Sequence, residues 1–180
     1  MHLSGAECSS GTAAPELREA RDLAYLTGQR PGDVIVMRSD DADGDYCLVI
    51  QGKTGQKLRI LMRTEAGENS LGKLVREITE RNAHHSSKYL LTNKYGKRMT
   101  KGMLRLRWDK AREQAQQNAL DQGDSMLATK IGGFQFRDIR PKAASEIVDI
   151  GDASLLLGHS KQEITKRVYR RIGATAKPSK

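Results

Sequence analysis

Apolar residues recur at helical spacing from the start of ELREARDLAYLT, residues 16–27. Leu17, Ala20 and Ala24 fall on one face with Leu23 beside them, which predicts a helix. Gly28 ends it, and Pro31 opens a short helical turn carrying Val34 and Ile35. The run Asp40, Asp41, Asp43, Gly44, Asp45 predicts a loop. Tyr46–Ile50 and Lys57–Leu61 are β-like runs on either side of QGKTGQ, the pattern of a hairpin with a glycine-flanked tip. Leu71, Leu74, Val75 and Ile78 return to helical spacing, and Lys88–Leu91 predicts a short strand. Leu104, Trp108, Ala111 and Ala115 form the inner stripe of a further helix, with Lys101, Arg105 and Arg112 on a neighbouring face. Asp121 to Gly133 reads as a glycine-containing loop. Pro141 falls in the first turn of a helix running on through Ala144, Ile147 and Val148. Ser160 and Glu163 have the spacing of a capping box, which starts the last helix after His159. The expected fold is mainly α with a small antiparallel β-sheet (α+β), without internal repeats. Residues 15–172 form one domain, with 1–14 a flexible lead-in or linker and 173–180 a tail.

Charge adds a partner to this picture. Lys and Arg number 31 against 22 acidic residues, a net charge of +9, which favours a polyanion, most simply nucleic acid. The excess is concentrated. From Lys88 to Arg112 only Asp109 opposes nine basic residues. This stretch is expected to face phosphate, with Lys88, Lys94, Lys97, Arg98, Lys101, Arg105 and Arg112 as contacts. No apolar run approaches the ~20 residues of a membrane span, and the N-terminal residues lack the basic and apolar regions of a secretory signal. Cys8 and Cys47, the only cysteines, make neither a disulfide framework nor a paired-cysteine zinc site. These features point to a cytoplasmic protein.

Several short motifs invite chemistry. Gly52-Lys53-Thr54 resembles the end of a phosphate loop, but that pattern needs glycine where Cys47 stands, and it needs a strand-to-helix turn rather than a hairpin tip. What remains is either a plain turn or a lysine held out towards a substrate phosphate. The adjacent His84 and His85 point in different directions and make poor joint metal ligands. The Asp40–Asp45 cluster lacks the spacing of a calcium loop. Arg30 follows a helix end in TGQRPGD, Arg137 and Arg140 stand three apart in FQFRDIRPKAA, and His159 lies in LLGHS. Each has an ordinary structural explanation alone, as an ion pair, a surface charge and a cap. Together they offer cations and donors that can converge on one phosphate, with guanidinium able to hold two oxygens at once. Finally, Tyr169 is flanked by Arg167, Arg170 and Arg171.

The order TGQRPGD, GKTG on a hairpin, FRDIRPKAA, LLGHS and a terminal ITKRVY resembles the catalytic domain of the tyrosine recombinase (phage integrase) family, over residues 16–171. That family uses, in order, Arg, a β-hairpin Lys, His-x-x-Arg, Gly-His and Tyr. The resemblance implies site-specific DNA recombination, as in phage or mobile-element integration, by cleavage and rejoining through a 3′-phosphotyrosine. It implies that Arg30 and Arg140 clamp the non-bridging phosphate oxygens, that Lys53 protonates the departing 5′ oxygen, that His159 hydrogen-bonds the phosphate, and that Tyr169 is the nucleophile. A free phenol has a pKa of ~10, and nearby cations favour its phenolate. The resemblance further implies double-stranded attachment sites as partners, a homo-tetramer on DNA, and no cofactor or metal. Two positions depart from the pattern. Arg137 replaces the usual His, and arginine cannot readily accept the tyrosine proton. Three residues before Arg140 on a helix, it is expected to share that residue's face. Asp33 stands where an acid, usually Glu, follows the first Arg and is expected to orient Arg30. The helical core-binding domain that precedes such domains is not in the 180 residues. Competing readings are relaxation of DNA by a type IB topoisomerase and a basic DNA-binding module without catalysis.

Overall fold

A computed structural model of the chain describes residues 14–158. Helix α1 (Pro15–Thr27) begins with Pro15 in its first turn and buries Leu17, Ala20, Leu23, Ala24 and Thr27 along one side. Fully burying a side chain such as Leu23 contributes roughly 1.5–3 kcal/mol. The helix ends at Gly28, whose φ of 62° is left-handed. A Cβ there would also lie 3.1 Å from Leu156, so both conformation and space call for glycine. Helix α2 (Pro31–Val34) is one short turn.

A three-stranded antiparallel sheet follows, in the order β1 (Ala42–Asp43), β2 (Tyr46–Ile50), β3 (Lys57–Leu61). Cys47 pairs with Ile60 and Val49 with Leu58, so the alternating pattern turns these four towards the core while Tyr46, Ile50, Lys57 and Leu61 take the other face. A second ladder joins β4 (Arg63–Thr64) and β5 (Gly67–Glu68). Helix α3 (Ser70–Arg81) is capped by Asn69, whose side chain accepts from the Leu71 and Gly72 amides. The sequence then runs through α4 (Lys101–Asp121), α5 (Ser125–Gly133), a 3₁₀ turn (Phe136–Asp138), α6 (Ile139–Glu146) and α7 (Ile150–Leu157). Helix α1 packs against α3 and α6. Trp108 of α4 meets Phe136 edge-on, with ring centroids 5.2 Å apart, and so ties α4 to the turn before α6. The fold is the expected mainly α architecture with a small antiparallel sheet.

Four local expectations are corrected. The aspartate-rich segment is not all loop. Ser39–Asp41 form a 3₁₀ turn, and Ala42–Asp43 pair with β2 across the two-residue turn Gly44-Asp45. Lys88–Leu91 is not a strand, since its only ladder contact among the described residues is a bridge from Tyr89 to Arg38. The Leu90 carbonyl is taken instead by the Asn82 side chain. Residues 125–133 are helical rather than a loop. The Asp124 carboxylate caps α5 by accepting from the Leu127 amide at 2.8 Å. Gly132 is a close-approach residue, because a Cβ there would lie 2.8 Å from the Gln116 side chain. The helix containing Pro141 stops at Glu146. Ile147 is extended and Val148 is exposed, and Asp149 then caps the unanticipated α7 by accepting from the Asp152 amide. The expected helix after His159 lies outside the described residues.

The Cys47 thiol is fully buried and pushed up to about 11 by burial, so it packs as a small apolar group. No helix among the described residues is long and apolar enough to cross a membrane.

The α3–sheet contact makes a sharp prediction. A Cβ at Gly72 would lie 2.4 Å from the Met62 carbonyl oxygen, a backbone atom, whereas one at Gly133 would meet nothing within 4 Å. Gly72→Ala should therefore lower unfolding stability by about 1–3 kcal/mol, and Gly133→Ala should leave it within about 0.5 kcal/mol. Urea titration of both variants measures the difference.

Candidate active site

The site is built around Arg140. The turn before α6 is closed reciprocally. The Gln135 side chain accepts from the Asp138 amide, and the Asp138 carboxylate from the Gln135 amide. This leads Arg140 inward at the first turn of α6, where it is 4% exposed. Its Nη1 donates to the Gly28 carbonyl at 2.5 Å and its Nη2 to the Leu157 carbonyl at 2.8 Å. These carbonyls stand at the C-terminal ends of α1 and α7, where helices leave acceptors without intrahelical partners and carry partial negative charge. One guanidinium thus joins two helix ends that are far apart in sequence.

Two buried glutamines extend the junction. Gln29 Nε2 donates to the Thr27 and Leu156 carbonyls. Gln51, at the foot of the β2–β3 hairpin tip, donates through Nε2 to Gln29 Oε1 at 2.8 Å and to the Leu157 carbonyl at 2.9 Å. Its Oε1 accepts from Thr54 Oγ1 at 2.8 Å and, more weakly, from Arg30 Nη1 at 3.4 Å. Gly158 completes the packing. It has a φ of 62°, and a Cβ there would lie 2.8 Å from the Gln51 amide. Asp33 braces the same hairpin by accepting the Gly52 amide on Oδ1 at 2.9 Å. Its Oδ2 is buried without a hydrogen-bond partner among the described residues and stands 3.8 Å from Arg30 Nη1.

The structure brings Arg30, Asp33, Arg140 and the base of the Lys53 hairpin into this one connected cluster. Lys53 itself is exposed at the tip. Arg137 does not share the face of Arg140. It lies in the 3₁₀ turn and is exposed while Arg140 is buried. Nor does either nearby acid pair with it among the described residues. Asp138 closes the turn, and Glu146 receives Lys142 at 2.6 Å and the Tyr25 hydroxyl. His159 and Tyr169 lie outside the described residues.

Of the basic stretch, Lys88, Lys94, Lys97, Arg98, Lys101 and Arg105 are exposed. Lys88 is 3.5 Å from Asp40, and Arg105 is 3.6 Å from Asp109 with its side chain 85% exposed. Arg112 differs: its side chain is 17% exposed and held 3.1 Å from Asp109. The sequence reading missed Arg38, which stacks on one ring with Arg98. Both guanidiniums lie over Tyr89, at 5.5 and 5.0 Å from its centroid. It also missed Gln29 and Gln51. Their only sequence signal is position, since Gln29 lies inside TGQRPGD, directly before Arg30, and Gln51 opens QGKTGQ.

The family model described as the phage integrase family matches residues 6–175. The chain belongs to this family. A similar protein is the prophage integrase IntE of Escherichia coli (strain K12), 28% identical over 156 residues, which covers 82% of this chain and 39% of that protein. The chain therefore spans about two-fifths of the length of that relative. Among solved structures, a lambda integrase dimer bound to a COC′ core site matches with a TM-score of 0.65 at 21% identity, over 91% of this chain and 45% of that one. The lambda integrase catalytic core matches with a TM-score of 0.58 at 22% identity, over 85% of this chain and 84% of that one. XerA recombinase matches with a TM-score of 0.56 at 16% identity, covering 90% of this chain and 60% of that one. At these identities the structural likenesses establish the integrase fold.

The junction predicts a stability difference between the two integrase arginines. Lysine cannot span two carbonyls as a planar fork does, and a hydrogen bond to a charged group is worth about 1.5–3 kcal/mol. Arg140→Lys should cost about 2–3 kcal/mol in urea unfolding. Arg30→Lys, whose contacts are 3.4 and 3.8 Å, should cost less than about 1 kcal/mol.

Proposed function

We propose that this chain carries out site-specific DNA strand exchange, as in integration of a phage or mobile element, at double-stranded attachment sites. The observation that carries this reading is the single polar cluster joining Arg30, Arg140 and the foot of the Lys53 hairpin, in a chain of the phage integrase family. In this reading the Tyr169 phenol gives up its proton to water, and the resulting phenolate oxygen attacks the scissile phosphorus. A 3′-phosphotyrosine bond forms, the bond to the 5′ oxygen breaks, and Lys53 supplies that oxygen with its proton. Arg30 and Arg140 offset the charge that grows on the non-bridging oxygens, with His159 as a further hydrogen-bond donor. Attack by a 5′ hydroxyl of the partner strand reverses the step and reseals the DNA. The phosphodiester energy is kept in the tyrosyl link, so exchange needs no ATP. Exposed Lys94, Lys97, Arg98, Lys101 and Arg105 serve the flanking backbone, where each neutralised phosphate adds about −0.9 to the slope of log K against log salt. A homo-tetramer on two paired sites is the assembly this reading requires. A lambda integrase tetramer bound to a Holliday junction shares the fold, with a TM-score of 0.62.

The test begins with a random-sequence pool of nicked duplexes, from which covalent capture on a denaturing gel selects the chain's substrate. Wild type should form a protein–DNA adduct, and Tyr169→Phe should form none while binding the selected duplex with affinity within about twofold. A full-strength adduct from Tyr169→Phe removes Tyr169 as nucleophile and turns attention to Tyr89 or Tyr95.

Arg137 gives an independent prediction. An exposed arginine with no acid partner among the described residues suits stabilisation of substrate charge. Arg137→Ala should lose most single-turnover cleavage and Arg137→Lys should keep part of it. Arg137→His should stay active at low pH and fall as pH rises through its pKa, ~6.5 if unperturbed, because only the protonated imidazole carries charge. Wild-type rates in Arg137→Ala across the pH range contradict a catalytic part for this residue.

A further inference from the structure

We propose that Gln51 is a positioning residue for proton donation by Lys53, acting by locking the hairpin tip to the rest of the site. The inference rests on the reading of Lys53 as the acid that protonates the 5′ oxygen.

Lys53 is exposed on a six-residue tip, Gln51–Gln56, between β2 and β3. An exposed lysine on a glycine-flanked turn is ordinarily free to swing, and each long side chain so immobilised costs conformational entropy. Here the backbone on both sides of Lys53 is fixed. Ahead of it, the Gly52 amide donates to Asp33 Oδ1 at 2.9 Å. Behind it, Thr54 Oγ1 donates to Gln51 Oε1 at 2.8 Å. The Gln51 amide closes the turn onto the Gln56 carbonyl at 2.9 Å, and the Gly55 amide returns to the Gln51 carbonyl at 2.8 Å.

The anchor of this tip is buried. Gln51 is 0% exposed. Its Nε2 is held by Gln29 Oε1 and the Leu157 carbonyl, the same carbonyl that accepts from Arg140. Its Oε1 faces outward to Thr54 and Arg30. A primary amide is the side chain that suits this place, because it needs two donors on one side and an acceptor on the other. Glutamate would keep the acceptor and lose both donors. Methionine would keep the length and lose everything polar. Through this one amide, the tip that carries Lys53 is registered against Arg30, against the C-terminus of α7, and through Leu157 against Arg140. A misplacement of ~1 Å at such a site can cost ~10²-fold in rate.

The experiment compares single-turnover cleavage of the selected nicked duplex with the same duplex carrying sulfur in place of the 5′-bridging oxygen. A thiolate leaves without a proton, so the sulfur substrate needs no acid. Wild type, Lys53→Ala, Gln51→Met and Thr54→Val are measured on both, with binding affinity alongside. Lys53→Ala should lose ~10²-fold or more on oxygen and much less on sulfur. Gln51→Met should lose ~10²-fold on oxygen and under about tenfold on sulfur, with affinity within about twofold. Thr54 is exposed, so Thr54→Val keeps the fold even if Gln51→Met does not. It should show about a tenfold loss on oxygen that largely disappears on sulfur. Equal losses on both substrates for Gln51→Met and Thr54→Val, with Lys53→Ala rescued by sulfur, overturn the positioning of Lys53 by Gln51 and leave Lys53 as the acid. Wild-type rates in both variants overturn it as well. Failure of sulfur to rescue Lys53→Ala overturns the underlying reading of Lys53, and the inference with it.

Discussion

A guanidinium buried between two helix C-termini is the constraint from which the rest of this structure follows. Taking Arg140 out of water carries a desolvation cost of several kcal/mol. Part of the return comes from the Gly28 and Leu157 carbonyls, each at the negative end of a helix. Both accept hydrogen bonds from the guanidinium and fix its plane between the two helix ends. A cation is thereby held at the junction of α1, α6 and α7, where the proposed chemistry needs positive charge beside a phosphodiester.

Around that charge the residues divide by burial. Those that hold the geometry are hidden: Gln29, Asp33, Gln51 and Arg140 are all at most 6% exposed. Those proposed to meet DNA and supply protons lie further out, with Lys53 and Arg137 exposed and Arg30 half-buried. The arrangement separates two tasks that compete in a single residue. A buried amide can make four good hydrogen bonds and define a position, but it reaches no substrate. An exposed lysine reaches substrate but defines no position of its own. Joining them through the closed turn at Gln51–Gln56 gives a mobile side chain a fixed backbone. Asp33 Oδ2, without a hydrogen-bond partner among the described residues, faces Arg30 Nη1 over 3.8 Å, so it acts on that arginine by charge rather than by a short bond.

Much of this was legible in the chain, and the parts that were not share a cause. The helices containing Leu17–Ala24 and Leu71–Ile78, and both strands of the Lys53 hairpin, show clean periodicity because each has one buried and one solvated side. The ordered motifs pointed to the family, since local spacing around Arg30, Lys53 and Arg140 is visible without knowing what they touch. Residues 125–133 were misread because Gly132 and Gly133 look like breakers. Gly132 in fact lies inside α5 against the end of the Gln116 side chain, a contact known only once α4 and α5 meet. Helix α7 was missed although Asp149 and Gly158 are sound start and stop signals, because IGDASLLL is too short for periodicity to rise above noise. The buried glutamines were invisible for the strongest reason. Glutamine is ordinarily a surface residue, and only the arrival of the Leu156 and Leu157 carbonyls, more than a hundred residues away, makes these two part of the interior. Arg137 was placed on the wrong face because the 3₁₀ turn before α6 breaks the helical spacing that an i−3 relation assumes.

In the proposed function the cluster around Arg140 serves a covalent attack on DNA by one tyrosine. Identifying the amino acid and the nucleotide end in a trapped adduct tests this. The adduct formed by wild-type chain on the selected nicked duplex would be digested with trypsin and nuclease, and the modified peptide sequenced by mass spectrometry. A single modified peptide is expected, with a nucleotide joined through its 3′ phosphate to the Tyr169 oxygen. Attachment at Tyr89 or Tyr95, attachment through a 5′ phosphate, or unmodified Tyr169 in a sample that has demonstrably cleaved the DNA would contradict it.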